Sequence, residues 1–193
     1  AMLMQRYMHE YNVPADGLAG FPVTAHANAV SNPNAMFQRA INEPAYTRAG
    51  MVSPPLNMFD AAPPTDGAAA IILTRSELLP AHYHHRLVRV SGSASASDML
   101  TLHDRRDPLS FDAARRSVDS ALLKAGVTRE QISFFEYHDA YSIYAALSLE
   151  AAGFAERGKG WELARDGEIA ENGKIPCATM GGLKARGFPG GAT

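Results

Sequence analysis

Eight of the chain's twelve prolines fall between Pro14 and Pro64, six of them from Pro33 onward, and nothing else in the sequence restricts the fold as strongly. Proline lacks a backbone N–H and fixes φ, so neither a helix interior nor a central strand can run through such a stretch. Residues 31–66 therefore read as an extended, irregular excursion. The same stretch carries Met36, Phe37, Met51, Leu56, Met58 and Phe59. That is too much apolar surface for a solvated linker, so the excursion is expected to lie on a larger body.

Regular elements are expected on either side. Leu3, Tyr7, Met8 and Tyr11 have helical spacing, and Asn12 to Asp16 stop that helix. Residues 17–28 read as a second short helix or a turn. After the excursion, Asp66-Gly67 makes a turn into the apolar run Ala68–Leu73, the pattern of a strand buried on both faces. Residues 86–92 alternate, as a half-buried strand does. Residues 110–125 predict a helix with Ser110 as N-cap and Gly126 as the glycine just past its end. Ile132–Tyr137 predicts another strand, and Ala140–Ala152 a helix that stops at Gly153. Strand, strand, helix, strand, helix gives an α/β body with a partly parallel sheet.

The net charge is −2 and the basic residues are scattered, which leaves no basic patch for nucleic acid. No apolar stretch approaches the ~20 residues of a membrane span. The lone cysteine, Cys177, rules out an internal disulfide and fits a reducing, cytoplasmic compartment. The first residues resemble no signal peptide and already read as helix, so the chain is expected to be a piece of a longer one.

Several clusters are candidates for chemistry. Gly181-Gly182-Leu-Lys-Ala-Arg-Gly187-Phe188-Pro189 opens a run of five glycines. It has the glycine gap of a phosphate-binding P-loop, but Phe188 and Pro189 stand where Lys and Ser/Thr are needed. A cluster of surface turns is the plainer reading. The run Phe134–Tyr137 ends in His138-Asp139, where side chains at the carboxyl end of a strand point into a ligand crevice. A neutral His138 can donate one hydrogen bond to a polarised carbonyl. Asp139 reads equally well as the N-cap of the following helix. His82, His84 and His85 alternate, yet no Cys, Asp or Glu nearby completes a metal set, and they read as a solvated edge. His103 to Asp107 reads as a charged loop, and Cys177 as an inert buried thiol. His26 and Asn28 form a polar pair in an apolar stretch.

Five segments, QRYMHEY, HANAVSNPNAMF, MVSPPLNMFDAAPPTDGAAAIIL, FFEYHDAYSIYAALSLEAAGFAERGKG and GGLKARGFPGGAT, occur in this order over nearly the whole chain. Together they resemble the thiolase superfamily, in its sterol-carrier-protein-type and archaeal acetyl-CoA acetyltransferase branch. The resemblance implies the C-terminal half of a layered αβαβα architecture with a mixed sheet. Residues 1–65 would be the end of the N-terminal half and a loop excursion over the active site. Residues 66–193 would be the C-terminal domain, cut before its last strands. Such enzymes acylate a cysteine, then join two acyl-CoA units by Claisen condensation or split a 3-ketoacyl-CoA with CoA. The substrate would be a coenzyme A thioester, with no covalently bound cofactor and no metal. A homodimer when full length and a small zinc-containing OB-fold partner are also implied.

By the same resemblance, His138 helps form an oxyanion hole, and Gly181, Gly182 and Gly187 bring backbone to the thioester. His26 and Asn28 match a family stretch but receive no chemical role. Two departures stand out. The family's reactive cysteine would lie upstream of Ala1, so this chain alone is expected to be inactive. The family's Gly-His-Pro reads Gly187-Phe188-Pro189, and Ala178-Thr179-Met180 replaces its Asn-Pro-Ser. Phenylalanine can neither take a proton nor donate a hydrogen bond. An alternative implied by Phe188 is a degenerate relative that binds acyl-CoA, or acts as a scaffold subunit, without catalysis.

Overall fold

In the computed structural model, which describes residues 1–192, the spaced apolar residues of the N-terminus form helix α1 (Met2–Glu10), with Met4 and Tyr7 buried. It ends where expected: Asn12 takes φ +52, a conformation that Asn tolerates better than most residues. Helix α2 (Gly20–Ala29) buries Phe21, Thr24, Ala25, His26 and Ala29, so it is enclosed on nearly every side.

The excursion is less irregular than its prolines predict. It holds α3 (Glu43–Arg48), capped by Asn42 Oδ1, which accepts the Ala45 N–H at 3.0 Å. It also holds a hairpin of β1 (Met51–Ser53) and β2 (Leu56–Asn57). The prolines are accommodated by position. Pro44 sits in the first helical turn, where no N–H is needed, and Pro54-Pro55 forms the hairpin turn. As expected, the segment lies on the body, with Tyr46, Leu56, Asn57 and Asp60 buried.

Beyond it come α4 (Asp112–Ala125), α5 (Ser142–Ala152), α6 (Gly160–Arg165) and α7 (Gly182–Arg186). Helices α4 and α5 end on Gly126 and Gly153 as the sequence indicates. Ser110 is not the cap of α4; its hydroxyl donates to Asp112 Oδ1 at 2.9 Å. Helix α5 is the centre of the core. Its Ile143, Ala145, Ala146, Leu147 and Leu149 pack with Met4, Tyr7, Leu18, Phe21, Trp161 and Ile169. Each large side chain fully buried there contributes about 1.5–3 kcal/mol relative to exposure. The Tyr7 hydroxyl donates to Glu150 Oε1 at 2.5 Å and ties α1 to α5.

The expected strands are where sequence and structure part. Residues 68–73 and 86–92 run as unpaired coil, with Ile72 96% and Val88 94% exposed. Ile132–Tyr137 keeps one parallel bridge, Phe135 to Cys177, and the Phe135 N–H donates to the Pro176 carbonyl at 2.9 Å. A strand is stabilised by its ladder and by packing across it, and an apolar pattern supplies neither when no partner lies alongside.

Candidate functional site

Two extended segments set the site. The pairing of Phe135 with Pro176 and Cys177 lays residues 134–138 parallel to 175–179. Glu136 reinforces it, accepting from the Thr179 N–H at 2.8 Å and from the Thr179 hydroxyl at 2.5 Å. One segment leads to His138-Asp139, the other to the glycine run. His138 is exposed while Asp139 is buried to 1%.

Asp139 caps a different helix from the one its position predicts. Its Oδ1 accepts the Leu183 N–H at 2.7 Å, in the first turn of α7. Helix α5 starts later, at Ser142, and has no side-chain cap. The intervening residues are engaged with the excursion: the Ala62 N–H donates to the Ala140 carbonyl at 2.8 Å, and Ala61 bridges Tyr141. Burial raises the pKa of Asp139, partly offset by the Lys184 ammonium and the Leu183 N–H. Gly182 makes this approach possible, since a Cβ there would stand 2.4 Å from Asp139 Oδ2.

The glycine run then turns toward His138. Gly187, at φ +109, leaves no room for a side chain, because a Cβ would stand 2.6 Å from Thr65 Cγ2. The Phe188 N–H donates to the Pro63 carbonyl at 2.9 Å, and the Thr65 N–H donates to the Phe188 carbonyl at 3.2 Å. The Phe188 ring meets His138 edge-to-face, centroids 5.2 Å apart and planes at 81°. The structure thus brings together His138, Phe188 and the Gly181–Gly187 loop. On that side the imidazole faces hydrocarbon, which offers no proton acceptor and no second donor. The last residue of the run, Thr193, lies outside the described residues.

The other candidates fall elsewhere. Cys177 is fully buried, its Sγ lies 3.2 Å from the Ile175 carbonyl, and burial, with Glu136 nearby, pushes the thiol up to about 12. It is no nucleophile near neutral pH. His26 is buried between Phe37 and Phe59, its Nδ1 3.2 Å from the Arg39 carbonyl, and burial lowers its pKa. His82, His84 and His85 lie on exposed coil, and no group of three or more possible metal ligands occurs among the described residues. His103 pairs with Asp104 at 3.6 Å on the surface.

Asn28, left without a role by the sequence, clamps the loop before the glycines. Its Nδ2 donates to the carbonyls of Cys177 and Ala178, both at 3.1 Å. Asn32 Nδ2 donates to the Met180 carbonyl at 2.9 Å. These bonds hold Ala178 at φ +50, a conformation costly for a residue with a Cβ. Sequence reasoning missed Lys184 and Asp60 altogether. Both are buried, and Lys184 Nζ donates to the Asp60 carbonyl at 2.7 Å. A lysine between two glycine turns carries no local sign of burial.

Residues 94–193 match the family described as Thiolase C-terminal domain-like. The whole chain is 39% identical to an acetyl-CoA acetyltransferase of Methanothermobacter thermautotrophicus and 30% identical to the benzoylsuccinyl-CoA thiolase subunit BbsB of Thauera aromatica, covering 50% of each. Its fold matches the solved structure of an Ltp2-ChsH2(DUF35) aldolase at a TM-score of 0.85 and 24% identity, covering 100% of this chain and 51% of that one. The chain spans about half the length of the curated relatives it matches.

Proposed function

The chain belongs to the thiolase C-terminal domain-like family and has a thiolase-like α/β fold, and on that premise we propose that it is the C-terminal portion of a thiolase-like acyl-CoA acyltransferase. In this reading residues 1–65 end the N-terminal half and residues 66–193 are the C-terminal domain. The reaction is Claisen condensation of acyl-CoA units, or its reverse, thiolytic cleavage of a 3-ketoacyl-CoA, in the cytoplasm. The nucleophilic cysteine lies outside this chain, because Cys177 is buried and its thiol is held protonated.

The observation that carries the reading is the meeting of exposed His138 with the Gly181–Phe188 loop. A carbonyl oxygen that gains charge needs a preorganised donor beside it. A neutral His138 supplies one ring N–H, and the glycines let backbone come close to the thioester. Phe188 removes the second imidazole, and a missing oxyanion donor costs ~10²–10³ in rate.

Phe188 also favours a second reading, in which the protein binds acyl-CoA or a partner subunit without condensing anything. A small zinc-containing OB-fold protein would be that partner, in keeping with the DUF35 component of the structurally similar aldolase. Acetoacetyl-CoA cleavage by the full-length protein separates the two. The acyltransferase reading expects measurable turnover, lowered ~10²–10³-fold by His138→Ala and raised by Phe188→His. Wild type and Phe188→His that are both inert, in a protein that still binds acyl-CoA, would leave the binding role in its place.

A further inference from the structure

Lys184 is 2% exposed and sits on a five-residue helix inside the site loop. Its one hydrogen bond among the described residues goes to a backbone carbonyl, that of Asp60, at 2.7 Å. Asp60 is itself fully buried, its Oδ2 taken by the Tyr46 hydroxyl and the Asn57 N–H, both at 2.9 Å, while its Oδ1 has no hydrogen-bond partner among the described residues. A buried cation so sparsely bonded is costly to keep, and its position shows what it holds.

The bond at Asp60 is the first of a series along residues 60–65. Next the Ala62 N–H donates to the Ala140 carbonyl, two residues past His138. Then the Pro63 carbonyl accepts the Phe188 N–H, and the Thr65 N–H donates to the Phe188 carbonyl. This strap bonds in turn to α7, to the His138 loop and to Phe188. Since His138 and Phe188 are fifty residues apart in sequence, their spacing depends on what both segments are tied to. We propose that Lys184 is a positioning residue, whose buried Nζ pins the 60–65 strap and so sets the approach of Phe188 to His138.

The pin responds to pH. Burial lowers the pKa of Lys184 from 10.5 to about 8, against the attraction of Asp139 and then Asp60. From α2, His26 faces it as a like charge when protonated, and Tyr46 of α3 reaches it through Asp60. Opening the strap to water would return the lysine to its ordinary value. Above pH 8 the closed strap has therefore released a proton that the open strap would bind, so closure strengthens by up to ~10-fold per pH unit until Tyr46 begins to oppose it near pH 10. The amine retains N–H donors for the Asp60 carbonyl.

The proposal concerns placement and does not require acyl-CoA turnover. The test is ¹⁹F NMR of the full chain labelled with 4-fluorophenylalanine, the Phe188 signal being assigned by Phe188→Leu. In wild type that signal should move away from its unfolded-chain position as pH rises from about 8 toward 10, the window in which closure strengthens. Lys184→Met and Lys184→Arg should both lose the step. A flat wild-type signal between pH 7 and 10, or a step kept in either variant, overturns the proposal. If Lys184→Met fails to fold, the wild-type titration and Lys184→Arg decide it.

Discussion

A phenyl ring at position 188 keeps the loop's backbone bonds, because Phe188 N–H and C=O are engaged whatever the side chain. What it changes is the face presented to His138. Phe188 is legible in sequence as a phenylalanine between Gly187 and Pro189, where the proposed function would have a histidine. Cys177 is legible too: a cysteine at the end of a short apolar run reads as buried and inert, and it is buried. The prediction that follows is a silent thiol. Folded protein at pH 8 should react with a thiol reagent at least ~10²-fold more slowly than unfolded protein, as checked by timed alkylation and mass spectrometry. Fast labelling of the folded chain would show Cys177 to be open to solvent. Asp139 is legible only as a capping residue. Which helix it caps depends on a contact with Leu183, forty-four residues away.

A helix of five residues does not stand alone, since nucleation costs more than its few hydrogen bonds return. Helix α7 is therefore held by its neighbours: Asp139 at its first turn, α2 along its side, and the Asn28 and Asn32 amides on the loop that leads into it. Gly181 lets α2 come close, since a Cβ there would meet the Ala29 Cβ at 2.7 Å. Asn28→Ala should destabilise the protein by about 1–3 kcal/mol, through two carbonyls left without their donor. Ala178→Gly in the same background should recover part of the loss, because glycine takes φ near +50 without the ~1–2 kcal/mol that a Cβ costs. Urea unfolding of the two variants checks both. No recovery on Ala178→Gly would mean that the strained turn is not what Asn28 holds. The long helices α4 and α5 are readable from their apolar residues and closing glycines, because helix period and stop are local properties. The runs 68–73 and 86–92 read as strands yet stay unpaired, because pairing is not local.

At the scale of the molecule, the helical core and the unpaired runs leave a mismatch. An open apolar cavity of about 920 Å³ lies between α4 and α5, lined by Leu100, Phe111, Val118, Phe135 and Tyr144 and bordered by His138. Meanwhile Ile71, Ile72 and Leu73 stand 82%, 96% and 73% exposed. A contiguous apolar run on an unpaired segment invites pairing with another chain. This chain by itself should therefore self-associate, and Ile71→Ser with Ile72→Ser should lower its apparent mass in sedimentation at matched concentration. An unchanged sedimentation profile would place the sticky surface elsewhere. The sequence by itself determined the family, the long helices with their glycine stops and the inert thiol, because these follow from residue type and short-range spacing. Only the tertiary structure decided that Asp139 serves α7, that Asn28 clamps a strained loop, and that Lys184 is buried under the strap. Each of those depends on which distant segment lies within hydrogen-bond reach, and no local pattern encodes that.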